Sequence, residues 1–480
     1  MSTPPLRSSS QATAVTRDRG DACPGTLRLH TADDGALARV RVPGGVLGVR
    51  QAEALAEASL RLGDGDLHLT SRGNVQLRGL ADGCGGELAE SLDAAGLLPS
   101  AGHERVRNIV ASPLSGLDGR GLRDVRPWLS ALDTALCASE AARGLSGRFL
   151  FALDDGRGDV TALDADVTVR ATEDGGALLS LGTAGESLAV PGEDAARAAL
   201  TAAETFLEAA RESGARVWRV TELPFQDGLL DRVRDRLTAV GVDSVGRVRD
   251  ESGTTTAAAE GGPVPGAVGD ALCVHAPLGR LTPPQWRELS ALAAATPSRE
   301  LRLTPWRGVV VPVPGLSEEQ ATDALARLSV TGLVTDPGSP WLRVGACIGR
   351  PGCAKSLADV RADATENLTA AGRAGLPLYW SGCERRCGHP RGERIDVVAV
   401  EGGGYELSRT APGRSPRTAP MGTRPDSPPP WGRSPPRPPR SRTTRTRWRT
   451  QPTQRARPAR PARPARTTPV RRPRAARRPP

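Results

Sequence analysis

Four cysteines late in the chain have the type and spacing for metal chemistry. Cys347 and Cys353 lie in ACIGRPGC, and Cys383 and Cys387 lie in SGCERRC. Two close thiol pairs, C-x5-C and C-x3-C, set about thirty residues apart, suit a tetrahedral metal ion or an iron–sulfur cube. Structural zinc pairs usually sit two to four residues apart, so the wider pair fits zinc poorly. The x2 clustering of bacterial ferredoxin runs is also missing. Gly349, Pro351, Gly352, Gly382 and Gly388 surround the thiols. They predict loops that bring backbone amides close to sulfur, where such bonds tune a cluster.

A second group of candidates is cationic. LTSRGNVQLRG (69–79) presents Arg72 beside a strand, VRNIVASP (106–113) presents Arg107 and Asn108, and LSGRFLFALDDG (145–156) presents Arg148. An arginine at a strand end can grip a carboxylate or oxyanion bidentately. In a chain this rich in arginine, a solvated surface role is the bland alternative for each.

These residues must be positioned by a largely acidic body. The formal charge is +10, but from Ser408 to Pro480 there are 21 arginines against Asp426 alone, so residues 1–407 carry −10. The basic excess is therefore no argument for nucleic-acid binding by the body. The opening segment lacks an apolar signal core and no long apolar run follows, so the expected location is cytoplasmic, with no membrane partner. Eight cysteines in 480 residues are not a disulfide framework. Cys23, Cys84, Cys137 and Cys273 are scattered and read as ordinary small residues.

Within the body, ARVRVPGG…LTSRGNVQLRGL and LCVHAPLG…LTPWRGVVVPVPG form an internal repeat of strand, turn, amphipathic helix and strand. Pro43 aligns with Pro277, Leu69-Thr70 with Leu303-Thr304, and Arg72 with Arg307, which suggests two α/β halves about a pseudo-twofold axis. Each half is followed by a further α/β segment, with strands expected at Arg148–Leu153, Val167–Arg170 and Ile395–Val400. Residues 1–20 read as disordered, and Glu251–Gly269 as a loop. The Arg/Pro-rich tail, 408–480, cannot form a core. It reads either as a cationic arm or as a GC-rich gene translated out of frame, and the second is favoured.

The cysteine pattern with its flanks resembles the sirohaem-dependent sulfite and nitrite reductase superfamily. The resemblance implies an α+β fold of α/β sandwiches: ferredoxin-like half-domains at 21–85 and 270–335, and nitrite/sulfite reductase-type domains at 100–210 and 336–407. It also implies a 4Fe–4S cluster on Cys347, Cys353, Cys383 and Cys387. In sirohaem enzymes the last cysteine bridges to the sirohaem iron. Arg72, Arg107 and Asn108 match segments that line the tetrapyrrole pocket. Sulfite reductases carry two lysines, two residues apart, facing the anion; Arg148 stands at the first place and Leu150 at the second. The lost cation speaks against plain sulfite reduction.

DACPGTLRL, RVPGG (41–45), LRLTPWRGVVVP (301–312) and YWSGCERRCGHP (379–390), in that order, resemble the precorrin-3B synthase branch. That resemblance implies an oxidoreductase of aerobic cobalamin biosynthesis, a monooxygenase that hydroxylates precorrin-3A at C-20 with γ-lactone formation. Its partners would be precorrin-3A, oxygen and an electron donor of reduced nicotinamide or ferredoxin type. Its cofactors would be the cluster and a non-haem iron in place of sirohaem, with Cys387 a cluster ligand only. Arg72, Arg107, Arg148 and Arg307, with Asn108, would then hold the substrate's carboxylates. No catalytic residue is assigned. Among five histidines, His389 is the nearest to a cysteine pair and is the candidate for iron. Two readings stand beside this one: a sirohaem-dependent sulfite or nitrite reductase, and a non-catalytic metal-binding protein with a nucleic-acid-binding tail.

Overall fold

The computed structural model describes residues 21–411 apart from 22, 184, 227, 250–261 and 391. The disorder expected at 1–20, most of the proposed tail (412–480) and residues 251–261 of the expected loop lie outside the described residues.

The internal repeat is ungapped. A constant offset of 234 carries Pro43 onto Pro277, Gly48 onto Thr282 and Thr70 onto Thr304. Gly48 and Thr282 each precede a helix, Val49–Leu62 and Pro283–Ala294, and their N–H groups donate to Gln51 Oε1 (3.0 Å) and Gln285 Oε1 (2.8 Å). These bonds satisfy donors that a helix start leaves orphaned. The helices bury Val49, Ala52, Leu55 and Ala58 against Trp286, Leu289 and Leu292. The Trp286 indole donates to Ala52 O at 2.8 Å across the pseudo-axis. Truncating so buried an anchor costs about 3–5 kcal/mol.

The same offset corrects one pairing read from the sequence. Thr70 N and Thr304 N bond to Asn74 O and Gly308 O, both at 2.9 Å. Arg72 therefore faces Trp306 in the repeat, and Gly73 faces Arg307. Gly73 and Arg307 share a left-handed backbone, φ 66° and 63°. Glycine adopts this at no steric cost and arginine does not.

The halves exchange strands. One five-stranded sheet runs His30–Ala32, Gly35–Val40, Val75–Leu80, Leu67–Leu69, and closes with Arg280–Leu281 from the second half. Its twin runs Gly266–Val268, Ala271–His275, Gly308–Pro312, Glu300–Leu303, and closes with Val46–Gly48 from the first half. One apolar core spans both. Gly266–Val268 is thus a strand within the stretch expected to be a loop.

Two further sheets begin with matching parallel trios. The first is Ile109–Ala111, Phe151–Asp154 and Val167–Ala171, extended antiparallel by Ala177–Leu181, Glu186–Val190 and Val245–Arg249. The second is Val344–Ala346, Leu378–Ser381 and Arg394–Ala399, closed antiparallel by Tyr405–Thr410. The first unit extends past residue 210, because Leu229–Ala239 packs Val233 and Leu237 into the core that holds Phe149 and Phe206. The last strand runs past residue 407. Arg409 pairs with Glu393, and Thr410 Oγ1 donates to buried Asp396 at 2.7 Å. No helix of the described residues is long and apolar enough to cross a membrane.

Candidate metal centre and anion pocket

The four cysteines leave the carboxyl ends of two neighbouring parallel strands. Cys347 follows Val344–Ala346, with Cys353 in the same loop; Cys383 follows Leu378–Ser381, with Cys387 beyond it. None forms a disulfide. The Cys347 backbone N–H donates to Trp380 O at 2.9 Å, and Gly382 N–H donates to Cys347 Sγ at 3.3 Å. Burial pushes the Cys387 thiol up, with Cys383, Cys347 and Cys353 adding to it against the pull of Arg385. A tetrahedral zinc would draw its thiolates to within about 3.8 Å of one another. Among the described residues no three thiols are gathered within 4.8 Å. The donor set, four free thiols with an amide aimed at one of them, is one that can hold an iron–sulfur cluster.

The first sheet has a thiol-free counterpart of this site. Ser112 N–H donates to Leu153 O at 3.1 Å, as Cys347 does to Trp380 O, and Asp155 N–H donates to Ser112 Oγ at 3.1 Å, as Gly382 does to Cys347 Sγ. Leu122 N–H bonds to Asp155 O (2.7 Å) just as Leu357 N–H bonds to Gly382 O (2.8 Å). The equivalents of Cys347, Cys353, Cys383 and Cys387 are then Ser112, Asp118, Gly156 and Val160. Here the Arg157 guanidinium ties the loops, bidentate to Asp118 (2.8 and 2.9 Å) and bonded to Asp155 (2.7 Å). Burial opposes its charge, yet the bonds to Asp155 and Asp118 win and raise its pKa.

The cationic candidates separate into three groups. Arg72 joins Arg39 and Arg41. Arg41 is 3 % exposed and donates to Gly147 O (3.0 Å) and Cys23 Sγ (3.2 Å), while Arg72 reaches the same carbonyl at 3.5 Å. Among the described residues no carboxylate pairs with Arg39, Arg41 or Arg72 at salt-bridge distance. Burial, then the charges of Arg41 and Arg219, push Arg72 down to about 9. Arg148, exposed at the rim, lies over the Trp218 ring at 4.8 Å. Such a concentration of positive charge attracts anions.

Arg107 and Asn108 are both engaged by protein partners. Arg107 makes two 2.7 Å bonds to Asp133 and a third to Leu97 O. Asn108, fully buried, donates to Phe149 O (2.9 Å) and accepts from Asn74 (3.0 Å). Arg107 is 5 % exposed and Asn108 is fully buried, so little of either is open to a ligand. Arg307 stands beside the thiol loops, where it donates to Gly388 O at 2.7 Å. Arg280 and Arg361 gather there too. Burial, with Arg307 and Arg280, pushes Arg361 down to about 10.

Leu150, 2 % exposed, packs with Val110, Ala152 and Trp306. His389 is exposed and bonded only locally, to Pro390 O. His103 is taken by Ser100 and Ser139. One group with three ligand atoms within 4.8 Å, Asp64, Asp66 and His68, is present among the described residues. Arg280 already pairs with Asp66, and Arg361 faces His68. Its charge is balanced without a metal, so no ligand to a second iron is assigned. The sequence reading missed Arg39, Arg41, Arg78 and Arg361. The alternation of Arg39 and Arg41 into the RVPGG turn was the available signal for the first two.

The profile of the nitrite/sulfite reductase ferredoxin-like half domain matches residues 30–95 and 265–329, the two halves of the repeat. A precorrin-3B synthase of Sinorhizobium sp. is 28% identical over 82% of this chain and 83% of its own. A ferredoxin–nitrite reductase of Synechococcus elongatus is 27% identical over 76% of each chain. The NirA protein of Mycobacterium tuberculosis superposes with a TM-score of 0.60 at 19% identity, covering 78% of this chain and 74% of that one, a likeness of fold.

Proposed function

We propose that the chain, whose repeat halves match the nitrite/sulfite reductase ferredoxin-like half domain, is a precorrin-3B synthase of that superfamily, using oxygen to hydroxylate precorrin-3A at C-20 with γ-lactone formation. The observation that carries the choice is Leu150. Where a sulfite reductase would carry the second of its two lysines, this chain buries a leucine against Trp306. A site that collects charge and protons around nitrite or sulfite would not be apolar there. The unneutralised arginines supply what a polycarboxylate macrocycle needs: Arg39, Arg41 and Arg72 offer charge-assisted bonds to acetate and propionate groups, with Arg148 at the rim.

In this reading Cys347, Cys353, Cys383 and Cys387 hold a 4Fe–4S cluster, which would relay single electrons from a reduced donor. The protein's own part is to bind and orient the substrate. The arginines hold its carboxylates, while Leu150 and Val110 pack with Trp306 in an apolar cluster. The overall reaction balances when one oxygen atom enters the product, the other leaves as water, and two electrons and two protons are consumed.

The second reading, a ferredoxin-dependent nitrite reductase, draws on the nitrite reductases among the relatives. One experiment separates them. Anaerobically purified protein is expected to show cluster absorption without a sirohaem band, and to place ¹⁸O from labelled dioxygen in the product. A sirohaem spectrum with nitrite reduction would overturn the proposal.

A further inference from the structure

The two copies solve the same problem in different ways. Each must hold two loops together at the carboxyl ends of neighbouring parallel strands. In the first copy a guanidinium inside the loops, Arg157, does this. In the second copy the loops carry thiols; Arg350 within them donates to Ser356 O (2.8 Å), and further guanidinium groups reach in from outside.

Arg78, 4 % exposed on the strand Val75–Leu80, grips Asp34 bidentately (2.9 and 2.8 Å). Its NH2 also donates to Gly352 O at 2.8 Å, across 274 residues of sequence. Gly352 directly precedes Cys353. A Cβ on Gly352 would meet Asp34 Oδ2 at 2.8 Å and Ile348 Cγ1 at 2.9 Å, so the loop backbone is seated against this pair. Asp33 accepts from Ala354 N–H on the other side of Cys353. From the second half, Arg307 donates to Gly388 O at 2.7 Å, just after Cys387, and the Tyr379 hydroxyl donates to Cys387 O.

Arg302 of the second half also reaches the thiol-free loop, donating to Pro113 O (2.9 Å) and Ser115 O (2.8 Å), but the two positions that hold the thiol loops are not shared across the repeat. At the offset of 234, the equivalent of Arg78 is Pro312 and that of Arg307 is Gly73. Neither has a side-chain donor. Arg307 moreover sits at the left-handed position that glycine fills in the other half. A side chain held in that conformation marks a position where a particular group is needed.

We propose that Arg78 and Arg307 are positioning residues for the four-thiol centre, one reaching from each half-domain to fix the loop that carries Cys353 or Cys387. This rests on the reading of the four cysteines as one metal centre. Arginine suits the task because its planar fork can hold Asp34 with one edge and still donate to a carbonyl, which a lysine ammonium cannot reproduce.

The test uses the full-length protein and Arg78→Met, Asp34→Asn and Arg307→Met variants. In the holoprotein, loss of iron to a chelator should accelerate about tenfold or more in Arg78→Met and Arg307→Met, the scale of a lost charge-assisted bond. The signal of the reduced cluster in electron paramagnetic resonance should broaden. In chelator-treated apoprotein, iodoacetamide labelling read by mass spectrometry should speed up at Cys353 for Arg78→Met and Asp34→Asn. It should speed up at Cys387 for Arg307→Met, in neither case at the other thiol. Arg78→Lys should restore little. Wild-type rates at both thiols, or equal acceleration at both, would overturn the proposal. Wild-type protein without iron and sulfide would instead overturn the cluster reading, and the labelling arm would still decide the clamp.

Discussion

Arg41 and Arg72 converge on one acceptor, the carbonyl of Gly147, and among the described residues no carboxylate pairs with either at salt-bridge distance. Both lose part of their hydration. Burial lowers the Arg41 pKa, and burial with the neighbouring charges brings Arg72 to about 9. Two guanidinium groups in such a setting repel each other until an anion arrives. Arg72→Gln is therefore expected to leave the unliganded protein as stable as wild type or slightly more so. It should weaken binding of a polycarboxylate tetrapyrrole about 10- to 100-fold, the scale of one or two charge-assisted bonds. Thermal melts with and without ligand read both arms. A destabilised, fully binding variant would show that Arg72 is a scaffold residue.

Arg107 predicts the opposite pattern. Its fork is committed to Asp133, and both groups are largely withdrawn from water. Arg107→Met leaves Asp133 without its partner and Leu97 O without its donor, which is expected to cost about 3–5 kcal/mol. Tetrapyrrole affinity per folded molecule should not change. Denaturant unfolding alongside a binding titration checks this, and a selective loss of affinity would return Arg107 to the pocket.

The contrast between Arg72 and Arg107 shows how far the sequence was legible. Local pattern revealed the thiol loops, because C-x5-C and C-x3-C with flanking glycines need no tertiary knowledge. It revealed the repeat, because Pro43/Pro277 and Thr70/Thr304 keep one offset. It could not separate a ligand-facing arginine from a structural one. That depends on whether a carboxylate stands opposite in space, and Asp133 lies 26 residues from Arg107. The same limit hid Arg78, whose acceptor lies 274 residues away. The pairing of Arg72 with Arg307 slipped by one residue because both turns offer an arginine and only backbone conformation tells the two positions apart.

Gly382 offers a test of the thiol loops that leaves the thiols in place. Its N–H donates to Cys347 Sγ, and an added Cβ would collide with Ser356 Oγ, which is itself held by a 2.7 Å bond to Ala358 O. Gly382→Ala must therefore shift one loop against the other. The expected outcome is protein that folds but binds less than half the wild-type iron and sulfide, measured after anaerobic purification. Full cluster content would mean that the loop has slack this packing does not suggest.

Asp159 gives a pH dependence whose direction follows from its surroundings. Burial, and then the charge of Asp154, push its pKa up to about 7, while Ser112 Oγ donates to it at 2.6 Å. In the unfolded chain the same carboxyl releases its proton near 3.9. Between about pH 4 and pH 7 the folded state therefore holds a proton that the unfolded state has lost, so this residue's contribution to stability falls as pH rises through that window and is flat above it. Asn at this position keeps an acceptor for Ser112 and removes the charge. Asp159→Asn should match the wild type near pH 4, exceed it progressively up to pH 7, and keep a constant advantage at pH 8. Urea unfolding at four pH values reads the curve. Parallel curves for the two proteins would show that Asp159 is ionised in the folded state and that Arg157, at 4.0 Å, compensates it fully.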